Sequence, residues 1–152
     1  RESCWSDCMM LNTEDQADPP DCKLRPVSSI EAISELDPGQ ITGPLSSIFR
    51  NIIDLLSGDY DYDTTNLAAV PYDWRLPPAI LEDRDRYFSS LKATIEEMVH
   101  FNEKPAIIIA HSMGNNVFLY FTEWIKLQYP NNWQRWFDSH ISSFFAVAAP
   151  LL

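Results

Sequence analysis

The sequence predicts a parallel α/β fold, and three observations carry that prediction. Residues 66–70 (NLAAV), 106–110 (AIIIA) and 141–148 (ISSFFAVA) are runs too short for lone core helices. They suit strands buried on both faces. Segments with helical apolar spacing separate them, so strand, helix, strand, helix, strand reads as a right-handed parallel unit. The middle run passes directly into His111-Ser112-Met113-Gly114 and then a helical stripe. Strand, tight turn with a central serine, helix is the arrangement of a nucleophile elbow.

In chain order, residues 1–25 are polar and irregular, with Asp18-Pro19-Pro20-Asp21 as the turn centre. All three cysteines, Cys4, Cys8 and Cys22, fall in this segment. An odd number invites a partner elsewhere or a free thiol. A Cys8–Cys22 bridge would close a loop of about 15 residues, worth roughly 3 kcal/mol in an oxidising compartment. Free cysteines are the equal alternative. The histidines lie far away at His100, His111 and His140, so no metal-ligand pattern accompanies the thiols, and neither a metal nor a cofactor is expected.

Residues 28–37 have mixed spacing, ended by Pro38-Gly39. Thr42-Gly43-Pro44 opens a helix whose stripe is Leu45, Ile48, Phe49, Ile52, Ile53 and Leu56, ending near Ser57-Gly58. Residues 59–63 (DYDYD) alternate carboxylates with aromatics, and no downstream ligand completes a calcium loop, so they read as a solvated turn. The run 66–70 follows, leading into PYDWRLPP. Polar and aromatic residues there sit where open α/β sheets place their sites, at the carboxyl end of a strand.

Residues 82–100 predict one long amphipathic helix with Tyr87, Leu91, Ile95, Met98 and Val99 on one face. At the elbow, Ala110 and Gly114 supply the small residues wanted two places either side of Ser112, where strand and helix backbones approach closely. The plain alternative is a strand–helix connection in which Ser112 caps the helix. The helix after it carries Val117, Phe118, Phe121, Trp124 and Ile125. Pro130-Asn131-Asn132 breaks the chain, residues 133–140 predict a short helix, and 141–148 the last strand.

The 152 residues and a hydrophobic share of 45% suffice for one domain with a core. A net charge of −11 argues against nucleic acid and against docking on anionic lipid, but leaves a zwitterionic lipid surface open. The longest uncharged apolar run, 144–152, is too short to span a bilayer. No N-x-[ST] sequon occurs. The chain opens at Arg1 rather than methionine and stops directly after a strand-like run, so it reads as a fragment in which a missing signal peptide carries no information.

Six stretches carry a resemblance. AVPYDWRLPP (69–78), AHSMGNNVF (110–118) and FFAVAAPLL (144–152) resemble the lecithin:cholesterol acyltransferase family. Within it, CWSDCMML (4–11), DCKLRP (21–26) and ELDPGQITGPLS (35–46) are most similar to the plant-type phospholipid:sterol acyltransferases. The resemblance implies a partial α/β-hydrolase fold: a core over 41–152 with three central parallel strands, behind a lid-proximal irregular segment over 1–40. It implies that Ser112 attacks the acyl ester of a phospholipid donor and passes the acyl group to a sterol hydroxyl. Diacylglycerol is the alternative acceptor and water the third, and a non-catalytic remnant remains a separate possibility. The Met113 N–H would be one oxyanion donor, worth roughly 3 kcal/mol in the transition state. A lipid or membrane surface is the implied partner, on the lumenal or secretory side of the endoplasmic reticulum or microsomal membrane.

The same resemblance orders a triad as serine, acid, histidine, each after a later strand. Asp138 and His140 precede the last strand and read as helix-terminus residues, while His100 ends a helix. The acid and base are therefore expected beyond Leu152. Asp73, Trp74 and Arg75 are expected near the elbow, as an ion pair holding their loop or as support for a lid or oxyanion loop. Cys4 and Trp5 resemble the end of a disulfide-closed lid, with Trp5 either a lipid-facing anchor or an ordinary packed side chain.

Overall fold

A computed structural model describes residues 2–27, 29–35 and 46–150, with side chains from Ser6 onward. The chain divides into two units, Arg1–Asp85 and Arg86–Leu152.

The first unit is mostly irregular but not wholly so. Helix α1 (Glu2–Met9) lies in the segment expected to be irregular. A Cys8–Cys22 disulfide, with a sequence separation of 14, realises one of the two thiol readings. After α2 (Glu31–Ser34), Glu35 and Ser47 form an antiparallel bridge, and Ile48 N–H donates to the Ser34 carbonyl at 3.0 Å. That pairing holds residues 46–49 in a bend around the Ser47 bridge, so α3 (Arg50–Asp59) starts later than the apolar stripe predicted. The proposed helix start at Thr42-Gly43-Pro44 lies outside the described residues. Leu76 and Leu81, the latter in α4 (Pro78–Asp85), are buried.

Residues 66–70 form no ladder, so among the described residues the sheet has two strands where three were expected. The run holds one β-branched residue, and Pro71 ends it without a donor, which is weak material for a strand.

The second unit contains the sheet. Helix α5 (Tyr87–Asn102) begins only after Arg86, which sits in the left-handed region at φ 55°, so the predicted 82–100 helix is two helices. Residues 83–86 (DRDR) offer no apolar side chain to a core, and the stripe begins after them. Strands β1 (Ala106–His111) and β2 (Ile141–Val147) pair in parallel, with Ile108 opposite Phe144 and His111 opposite Val147. Between them run α6 (Gly114–Gln128) and α7 (Trp133–His140).

One sheet face is covered by α6, where Phe118 stacks on Phe144 at 4.7 Å. Phe88 and Phe121 are fully buried, with Phe88 stacked on Tyr120 at 5.3 Å. Each such ring contributes roughly 1.5–3 kcal/mol. Phe88 lies beside the stripe expected for α5, since the helix presents Phe88, Leu91 and Ile95 to the core. Trp136 packs edge-on to Phe121 and donates from Nε1 to Glu96 at 2.8 Å.

Candidate functional site

The β1–turn–α6 junction places Ser112 at φ 50°, between the last strand residue and a helix beginning at Gly114. A non-glycine residue held there stores roughly 1–3 kcal/mol, which the surroundings must supply. They do so with backbone bonds on both sides of the serine. Its N–H donates to the Val147 carbonyl at 2.9 Å, and its carbonyl accepts from Asn115 N–H at 3.1 Å. Met113 O then accepts from Asn116 and Val117, starting the helix.

Ser112 is exposed, and among the described residues its hydroxyl has no hydrogen-bond partner. The N–H groups of Met113 and Gly114 also lack an acceptor among the described residues. An exposed hydroxyl beside free donors at the start of a 15-residue helix suits attack on a carbonyl whose oxygen becomes negative. The small residues at Ala110 and Gly114 are less constrained than expected: a Cβ built on Gly114 meets Ala110 Cβ at 3.8 Å, ordinary contact.

Asp73 and Arg75 form the centre of an ion-pair network in the first unit. Asp73 is buried, and its carboxylate accepts from Arg75 Nε at 2.8 Å, Arg75 Nη2 at 2.7 Å and Arg84 Nη2. Burial alone would raise its carboxyl pKa, but the hydrogen bonds from Arg75 and Arg84 outweigh that and hold it well below the usual range. Arg75 also donates to Asp18 at 3.1 Å and to the carbonyls of Cys8 and Leu24, each at 3.2 Å. One guanidinium thus fastens the chain on both sides of the Cys8–Cys22 disulfide. Trp74, between the buried Asp73 and the half-buried Arg75, is 64% exposed.

Ser112 and Met113 belong to the second unit, and Asp73, Trp74 and Arg75 to the first. Cys4 and Trp5 lie in α1, with side chains outside those described. His140 stacks on Trp136 at 4.7 Å, its Nδ1 bonding the Trp136 carbonyl and Ser139 Oγ. Asp138 stays on α7 and His100 in the last turn of α5. Two further residues carry no sequence expectation: Arg84, whose place in an alternating acid–base run is a signal, and Asn115, fully buried directly beneath the turn.

A family profile described as lecithin:cholesterol acyltransferase matches residues 1–152. A phospholipid–sterol O-acyltransferase of Arabidopsis thaliana is 48% identical over 99% of this chain and 24% of its own length. A phospholipid:diacylglycerol acyltransferase of Schizosaccharomyces pombe is 35% identical over 99% of this chain and 23% of its own. A human lysosomal phospholipase A and acyltransferase is 30% identical over 97% of this chain and 34% of its own. The chain thus spans about a quarter to a third of these relatives.

Proposed function

The chain belongs to the lecithin:cholesterol acyltransferase family, and on that premise we propose that it carries the nucleophile of a phospholipid-dependent O-acyltransferase. The observation that carries this reading is Ser112 at φ 50° on a strand–helix turn, exposed beside unpaired helix N–H groups. Ser112 Oγ would attack the phospholipid acyl carbonyl while an imidazole base, supplied by other residues of the complete protein, takes its proton. Met113 N–H would face the developing oxyanion. Loss of lysophospholipid leaves an acyl-enzyme, and a sterol hydroxyl then takes the acyl group.

The sterol acceptor is favoured by the 48% identity to a phospholipid–sterol enzyme against 35% to a diacylglycerol one. The Cys8–Cys22 disulfide supports work in an oxidising, lumenal or secretory compartment, and a phospholipid donor would put the reaction at a lipid surface.

The test supplies the complete protein with acyl-labelled phosphatidylcholine, a sterol and diacylglycerol. Label is expected in steryl ester, and Ser112→Ala should reduce transfer by about a million-fold, to background. Label in triacylglycerol with none in steryl ester would sink the sterol reading. Undiminished transfer in Ser112→Ala would sink the nucleophile.

A further inference from the structure

We propose that Asn115 is a positioning residue for the nucleophile, holding the Ser112 turn against the end of β2 through its side-chain amide. The inference rests on the reading of Ser112 as the nucleophile.

Asn115 is fully buried, and its Nδ2 donates to the Ser112 carbonyl at 2.8 Å and to the Val147 carbonyl at 3.1 Å. Val147 O also accepts the Ser112 N–H at 2.9 Å. The result is a closed ring: Ser112 N–H to Val147 O, Val147 O to Asn115 Nδ2, Asn115 Nδ2 to Ser112 O. The peptide groups before and after the Ser112 Cα are both held, so φ and ψ of the nucleophile are fixed together. With the backbone fixed, the Ser112 Cα–Cβ bond is carried at a set angle to the Met113 N–H, and only χ1 is left to aim the hydroxyl. A side chain that sets the serine in an unfavourable region therefore sets the attack geometry.

The amide orientation follows from its neighbours. Nδ2 faces two carbonyl oxygens, and the flipped amide would set Oδ1 against both. In the orientation observed, Asn115 Oδ1 is buried without a hydrogen-bond partner among the described residues. A buried orphan acceptor destabilises, and an apolar residue of the same shape would avoid it. Fold stability alone is thus a poor reason for asparagine here, whereas the two donors aimed at the turn are a good one.

The test uses the complete protein and a fluorophosphonate probe that labels Ser112. Leucine is nearly isosteric with asparagine but donates nothing, so Asn115→Leu should stay folded with a melting temperature close to wild type. Its limiting labelling rate should fall about tenfold or more, with the probe concentration at half-maximal rate unchanged, because pose rather than binding is lost. As a control, Ile125→Val lies in the buried part of α6 far from the turn. It should lower the melting temperature and leave labelling intact, which separates loss of pose from general loosening. Should the leucine variant not fold, Asn115→Ala, which adds no bulk, carries the same test. Wild-type labelling in the folded variant would overturn the positioning role and leave the nucleophile standing. Absence of Ser112 labelling in the wild-type protein would instead remove the nucleophile reading, and this inference with it.

Discussion

Asp73 holds two guanidiniums with one buried carboxylate, so its loss should be felt beyond its own contacts. Without it, Arg84 keeps Asp85, and Arg75 keeps Asp18 and two carbonyls. Removing one partner of a buried pair costs about 3–5 kcal/mol, and these remaining contacts place Asp73→Ala near the lower figure. Urea unfolding measures it; a loss under about 1 kcal/mol would mean the network is solvated. The same residue sets a pH dependence. Its folded-state pKa is depressed, so its stabilisation is complete above the unfolded value near 4 and is lost as pH falls through the folded value. Asp18 and Glu96, both also lowered, add to the slope in the same direction. Melting temperature should therefore decline below about pH 4, and less steeply in Asp73→Asn; equal slopes would assign the acid sensitivity to other carboxylates.

At the scale of elements, the β1–turn–α6 junction is both the most legible part of the sequence and a place where its reasoning needs adjusting. Three isoleucines, a serine between small residues and a helical stripe are local signals, and each produces its element where expected. Gly114 is another matter. Its φ is not positive and a Cβ there finds ordinary contact distances. Gly114→Ala should accordingly stabilise by about 0.4–1 kcal/mol, by reducing unfolded-chain entropy at a helix start. A loss of stability on thermal unfolding would show that the turn needs glycine after all. The core of this unit predicts the opposite sign for Phe88→Ala. Phe88 is fully buried against Tyr120, Phe121 and Trp124, so truncation should cost about 3–5 kcal/mol. A cost under 1 kcal/mol would mean that α5 does not depend on this ring. What stayed illegible is non-local. Arg84, just before the break at Arg86, pairs with Asp73 eleven residues earlier, and Asn115 has its second partner 32 residues away. The run 66–70 failed as a strand because short apolar character alone does not provide a neighbour to pair with.

Across the whole molecule, apolar exposure and net charge oppose each other. Ile107, Phe145 and Val147 lie on one face of the two-stranded sheet and are 54%, 55% and 44% exposed. Parallel sheets are ordinarily covered on both faces, and each of these strands also presents one open edge among the described residues. Against association stands a net charge of −11, whose repulsion is long-ranged at low salt. Salt screens that repulsion within about 10 Å at 0.1 M but leaves apolar burial intact, so the balance should tip as ionic strength rises. The 152-residue polypeptide should sediment near its 17.5 kDa monomer mass in dilute buffer and as larger species at physiological salt. Phe145→Glu should hold it monomeric, by placing a charge where an apolar ring is half exposed and by adding to the repulsion. Glu82→Lys, which reduces the net negative charge from α4, should shift association to lower salt. A monomer at every salt concentration would mean that the exposed face is too small to drive assembly. Association that persists unchanged in Phe145→Glu would move the contact to another surface.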